Sequence, residues 1–193
     1  MTAPTASPRG YPDRLLSGRQ TAPVHGAPAA TATVGAPFDY FNFFEDCAGK
    51  GGPLFGPETF RRFFMKPYRR IIERLRRAGI ESFWVDCDGD PGPLIPLWID
   101  AGINCLWPLE QASGMDPRRL RKKFGRDLAL CGGIDKRALA KGRRAIEKEL
   151  RSKLPPLLAQ GGYIPLADGR VRANVPFENY VYYRRMLEKV TRA

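Results

Sequence analysis

Arg77-Ala78-Gly79-Ile80-Glu81-Ser82-Phe83-Trp84-Val85-Asp86-Cys87-Asp88-Gly89-Asp90 is the stretch whose reading decides the fold. A basic amphipathic run stops at a glycine, a short apolar run follows within a few residues, and aspartates gather where that run ends. A glycine just past a helix, then a buried strand, is the pattern of an α/β unit. The joint recurs at Gly102 before Cys105-Leu106-Trp107, at Gly125 before Leu128–Cys131, and at Gly161-Gly162 before Tyr163–Leu166. The intervals from Gly79 to Gly102 and from Gly102 to Gly125 are each 23 residues.

With an opening strand at Phe38–Glu45, the pattern predicts five strands, each followed by a helix, near 57–78, 93–101, 117–124, 136–160 and 176–190. Pro57 and Glu58 suit a first helical turn; Pro67 is expected to kink its helix, and Pro155 and Pro156 to bend or end theirs. Parallel alternation leaves an open doubly wound sheet or a barrel. Polar and small residues collect after every strand, at Glu45–Pro53, Asp86–Asp90, Pro108–Glu110, Gly132–Lys136 and Ala167–Arg170. A barrel brings such strand ends to one mouth. No GxGxxG or GxxxxGK[ST] follows a strand, so the barrel is favoured over a nucleotide-binding open sheet.

Composition bounds the rest. A chain of 193 residues, 43% hydrophobic and 11% aromatic, can bury a core in one domain or slightly more. The net charge of +12 invites a nucleic-acid reading. Its distribution opposes one: the basic residues from Arg61 to Arg77 alternate with Phe60, Phe63, Phe64, Tyr68, Ile71, Ile72 and Leu75 at helical spacing, the wet face of an amphipathic helix. Arg118, Arg119, Arg121, Lys122, Lys123 and Arg126 form a similar solvated cluster around Leu120 and Phe124. No apolar run reaches the ~18 residues of a membrane helix, so neither nucleic acid nor membrane is expected as a partner, and a cytoplasmic location is. Cys47, Cys87, Cys105 and Cys131 lack CxxC spacing and read as reduced, buried thiols. Residues 1–37, rich in Ala, Pro, Thr and Gly, read as a disordered or unrelated leader, with structure beginning near Phe38.

Several motifs then converge. Glu45–Leu54 followed by Pro57–Phe64, Asp88-Gly89-Asp90 leading to Pro93–Pro96, Ala101–Glu110, Gly114–Pro117, Gly132–Lys136, Gly161–Pro165 and Phe177–Tyr180 resemble, in order, the C-terminal half of the uroporphyrinogen decarboxylase family. The resemblance covers about residues 38–193 and is closer to the methyltransferase-like branch. It implies a partial (β/α)8 TIM barrel of about five C-terminal β/α units. It also implies chemistry of porphyrin metabolism: cofactor-free decarboxylation by a lyase, or corrinoid-linked methyl transfer with zinc activating a thiol.

The family's metal ligands are not matched. Aligned on Gly89, Asp86 and Asp88 occupy the positions of the zinc-binding His and Cys, replacing soft ligands by hard ones, while Cys87 should point to the opposite side. No metal or cofactor is therefore expected, with zinc or a corrinoid partner as the alternative. Related sequences place a histidine after the aspartate of the last strand; here Gly169 follows Asp168, and the sole histidine is His25. The mouth is left with carboxylates, of which Asp46, Asp86, Asp88 and Asp168 are the catalytic candidates. Glu45, Lys50, Glu110, Lys136 and Arg170 are the candidates for binding a small-molecule substrate. Asp116 and Asp135 are read as helix caps.

A complete barrel takes ~250 residues. Five units suggest a truncated gene product, the favoured explanation, or else a split protein that pairs with an N-terminal half-barrel chain, or a homo-oligomer. Function divides accordingly. The chain derives from an enzyme of decarboxylation or methyl transfer on a tetrapyrrole-related or methylated substrate, or it is a catalytically inactive, partner-dependent half barrel with a binding role.

Overall fold

Strand parity organises this chain. The structure is a computed structural model and describes residues 38–191; the leader 1–37 and His25 lie outside the described residues. The elements in order are β1 (Tyr40–Phe44), a hairpin of β2 (Ala48–Gly49) and β3 (Gly52–Pro53), α1 (Pro57–Phe63), α2 (Met65–Arg77), β4 (Ser82–Asp86), α3 (Ile95–Ala101) and β5 (Cys105–Trp107). A 3-10 turn (Gln111–Ser113), α4 (Pro117–Phe124), β6 (Ala129–Cys131), α5 (Lys136–Ala140), α6 (Arg143–Leu158), β7 (Tyr163–Ile164) and α7 (Phe177–Thr191) follow. The hairpin is antiparallel. The other five strands form one parallel sheet in the order β1-β4-β5-β6-β7, so β1 and β7 are its edges among the described residues.

In a parallel sheet, partnered residues share a face and the next residue along takes the other. Phe43 pairs with Val85, Val85 with Leu106, Leu106 with Leu130 and Leu130 with Tyr163. This row lies buried under the helices, with Phe43, Val85, Leu106 and Leu130 each 1% exposed or less. One residue further on, Phe44 pairs with Asp86 and Asp86 with Trp107, and these face the side that no helix of the described residues covers. Phe44 is 71% exposed, Tyr40 51% and Ile164 44%. The helices accordingly form one layer, α1 against α2, α2 against α3, α4 against α6 and α6 against α7.

The expected alternation of strands and helices is present, with four corrections. The helix over 57–78 is two, interrupted at Phe64 rather than kinked at Pro67, because Pro67 falls in the first turn of α2, where no N–H is required. The helix over 136–160 is also two; Gly142, at φ 96°, separates α5 from α6. Pro155 and Pro156 do not end α6, which continues to Leu158 with Ala159 N–H donating to Pro155 O. The Ser152 carbonyl, which Pro156 cannot serve, accepts instead from Arg118 Nη1 at 3.5 Å. Finally, Arg121 does not belong to the wet cluster. It is 4% exposed and donates to the carbonyls of Gly125, Leu128, Gly161 and Gly162, tying α4 to the entries of β6 and β7. Asp116 and Asp135 cap α4 and α5 as expected, accepting from the N–H of Arg118 and Arg137.

Candidate functional site

The C-terminal ends of the sheet strands carry the charged residues. Asp86 ends β4 on the uncovered face beside Phe44 and Trp107. Burial, then the charges of Asp88 and Asp46, push its carboxyl up to about 6, with the Arg170 guanidinium opposing them. Asp88, in the loop beyond, is raised by burial and by Glu110 and Asp46, against Lys136 and Arg170. Four carboxylates and two cations thus sense one another across the ends of β1, β4 and β5 and the loops after β6 and β7.

Close backbone packing holds this arrangement. Asp90 N–H donates to Gly49 O at 2.9 Å, drawing the loop after β4 against the hairpin. A Cβ at Gly89 would stand 2.6 Å from that same oxygen, so only glycine fits there. Asp90 turns inward on its own loop and accepts from Gly92 N–H. Beneath the hairpin, Cys47 Sγ lies 3.8 Å from Cys87 Sγ, both buried. Cys87 therefore points to the helix side, as alternation requires, while Asp86 and Asp88 are more open.

Glu110 belongs to the second layer of the mouth. Burial pushes its carboxyl up, but the Ser113 hydroxyl and Gly89 N–H, donating at 3.0 and 3.1 Å, and the Lys136 and Lys50 charges outweigh it and hold it below the usual glutamate range. Lys136 Nζ stands 3.7 Å from Glu110 Oε1 and donates to Asp168 O at 3.3 Å. Asp168 is fully enclosed, at 0% exposed; its Oδ2 accepts from Gln111 N–H and its Oδ1 from Lys136 N–H, at 2.8 and 2.9 Å. Burial raises its carboxyl despite those two bonds. Lys153 supports the same corner from α6, donating to Gln111 Oε1, Gly133 O and Glu149.

Of the sequence-predicted residues, the structure thus brings Asp46, Asp86, Asp88, Glu110, Lys136 and Arg170 into one electrostatic neighbourhood, with Lys50 acting on Glu110. Glu45 faces the helix layer, where it hydrogen-bonds the buried Tyr68 of α2. Asp168 lies beneath the mouth, enclosed by backbone.

Sequence reasoning missed the groove next to the mouth. A groove of about 810 Å³ runs from Trp107 past Leu166 and Arg170 to Val175, Phe177, Tyr180 and Arg184. Arg172 and Tyr183 also line it. It has the size of a small-molecule site. The only signal in sequence was the aromatic and arginine content of 170–184, which helical periodicity alone accounts for.

The donor set does not suit the zinc centre that the resemblance suggests. Asp86 and Asp88 offer hard oxygens, Cys87 turns away to Cys47, and among the described residues no group of three or more His, Cys, Asp or Glu is placed to hold a metal ion. No helix of the described residues is long and apolar enough to cross a membrane.

No protein-family profile matches the chain. Among solved structures it is similar to a methyltransferase from Methanosarcina mazei, with a TM-score of 0.61 and 18% identity over 86% of this chain. The chain spans about half of that neighbour, 47% of its length. At this identity the likeness is one of fold: the chain shares the α/β architecture of that methyltransferase over nearly all of its described length.

Proposed function

We propose that the chain is the C-terminal part of a (β/α)8 barrel related to the uroporphyrinogen decarboxylase family, nearer its methyltransferase-like branch. Its mouth binds a small molecule that carries a carboxylate or phosphate group and moves a proton at Asp86 in the course of group transfer. One observation carries this reading. The Asp86 carboxyl, pushed up to about 6, stands at the same strand ends where Arg170, which opposes its charge, borders a groove of ligand size. A carboxyl poised close to working pH can both give and take a proton. Arg170, Arg172 and Arg184 supply countercharge for a carboxylate or phosphate, and Trp107, Phe177 and Tyr180 an apolar wall for a flat ring. Glu110 and Lys136 keep the loops in register, and Asp168 anchors two of them from below.

Calorimetry on the full chain tests this with two probes, methylcobalamin for the methyl-transfer side and coproporphyrin for the decarboxylase side. Saturable binding of methylcobalamin, weakened about tenfold or about 1.4 kcal/mol by Arg170→Ala, is expected. Tighter binding of coproporphyrin moves the reading to the decarboxylase branch, and no binding of either up to about 1 mM overturns it. The isolated chain is expected to leave uroporphyrinogen undecarboxylated.

A second reading, a partner-dependent half barrel, is favoured by the uncovered sheet face. Parallel sheets are ordinarily covered on both sides, and Tyr40, Phe44, Ile164 and Phe177 stand exposed here. An N-terminal half-barrel chain or a second copy would cover them. Sedimentation equilibrium separates the two forms: self-association that Phe44→Ser weakens supports the second copy, and a strict monomer removes it.

A further inference from the structure

We propose that Cys47 and Cys87 form a redox-sensitive dithiol site, closed to a disulfide by peroxide, that locks the β2–β3 hairpin onto the end of β4. This goes beyond the proposed binding and proton transfer and does not depend on it. The two residues are 40 positions apart in sequence, yet their sulfurs lie 3.8 Å apart, in hydrogen-bond contact. A disulfide needs an S–S distance of ~2.0 Å, so the sulfurs must approach by a little under 2 Å, within reach of side-chain rotation together with a small backbone shift. Cys47 sits at the root of the hairpin, where Leu54 N–H closes the turn on Cys47 O, and Cys87 follows Asp86 directly.

Access comes through the same hairpin. It consists of two-residue strands tied to the loop after β4 by Asp90 N–H, which donates to Gly49 O. Cys47 is 9% exposed and Cys87 2%. A ladder this short opens at lower cost than the five-stranded sheet, and Cys47 moves with it. Cys105 and Cys131 differ in place, lying within the β5 and β6 strands, where burial pushes their thiols up to about 12 and about 11; of the proposed pair, the mutual hydrogen bond holds the Cys87 thiol down and, with burial, pushes the Cys47 thiol up. Cys105 and Cys131 serve as internal controls.

The chemistry balances with hydrogen peroxide as oxidant. One sulfur attacks a peroxide oxygen, the O–O bond breaks, and water leaves behind a sulfenic acid. The second thiol attacks that sulfur, the S–S bond forms, and a second water departs. Two thiols lose two electrons and two protons, and one peroxide becomes two waters. A thiol reductant reverses the change. The consequence is local: Asp46, beside Cys47, and Asp86 and Asp88, flanking Cys87, become covalently linked through their neighbours, so the acidic mouth loses its freedom to open.

The experiment uses the full chain treated with hydrogen peroxide, alkylated, and digested without reductant for mass spectrometry. The expected result is loss of two of the four thiols, recovered with dithiothreitol. It should come with a linked peptide joining Cys47 and Cys87 and alkylated Cys105 and Cys131. Amide exchange across residues 48–53 should slow severalfold in the oxidised form. Cys47→Ser and Cys87→Ser should each abolish the linked peptide; because buried serine can unfold the chain, Cys47→Ala is the second variant, and the unsubstituted chain is decisive by itself. Four alkylated thiols after peroxide treatment, separate sulfinic acids at Cys47 and Cys87, or an equally abundant Cys105–Cys131 link would each overturn the proposal.

Discussion

On the helix side of the sheet, Phe43, Val85, Leu106 and Leu130 sit in one row with almost no surface left to water, while one residue further along the same strands Phe44 stands in solvent and Asp86 and Trp107 are half-buried. The two rows lie on the same strands, and what separates their burial is what lies across from each side chain. The covered row carries the stability. The uncovered row carries the ionisable groups, and the titration of Asp86 toward neutrality arises because burial there is partial and the neighbouring charges are of its own sign.

The largest expected effect lies in the covered row. Phe83 is fully buried, with the Arg76 guanidinium 5.3 Å from its ring centroid. Phe83→Ala removes that contact and leaves a cavity, costing about 3–5 kcal/mol. Phe44→Ser, on the other face, should cost about 0.5 kcal/mol or less. Urea denaturation of both variants measures the contrast. Comparable losses would mean that the uncovered face is packed in solution, and the distinction between the rows would fail.

An intermediate effect comes from beneath the mouth. Asp168 is fully enclosed, and both its oxygens are committed to backbone donors, at Gln111 and Lys136. Asp168→Asn keeps one acceptor and sets an amide NH2 against a backbone N–H, at a cost of about 2 kcal/mol. The loss should appear in thermal melting as well as in any binding assay. A variant that melts normally yet loses binding would place Asp168 among the groups that touch ligand.

What could be read in the sequence was local. Alternation in Ser82–Asp86 separates Phe83 and Val85 from Asp86, and glycine joints mark the strands that follow, because both depend on neighbours a few residues away. The split of the fourth helical region escaped since Gly142 sits inside an otherwise continuous helical pattern. Arg121 looks like any of its basic neighbours because its acceptors include Gly161 and Gly162, 40 and 41 residues distant. The Cys47–Cys87 contact and the enclosure of Asp168 are invisible for the same reason. The mouth was legible as a list of residues; which of them face it, and which hold the loops beneath it, required the register of the sheet.

The smallest effect is also the one that tests the uncovered row most directly. In the unfolded chain an aspartate titrates near 3.9, and in the folded protein Asp86 does so at about 6. The folded state therefore holds the proton more tightly, and stability from this residue is fully present below about pH 4 and lost as pH rises through 6. Above that range the ionised carboxylate is a net burden, which solvent screening at this half-open position limits to about 1 kcal/mol. Asp86→Asn removes the burden without changing the shape. It should raise the melting temperature by a few degrees at pH 8 and leave it unchanged at pH 4, with the difference setting in near pH 5–6. Asp88→Asn should shift that onset downward, since the Asp88 charge holds Asp86 up more than that of Asp46. A pH-independent difference between the wild-type chain and Asp86→Asn would show that Asp86 is not titrating near neutrality, and the proton-transfer role assigned to it would fall with that result.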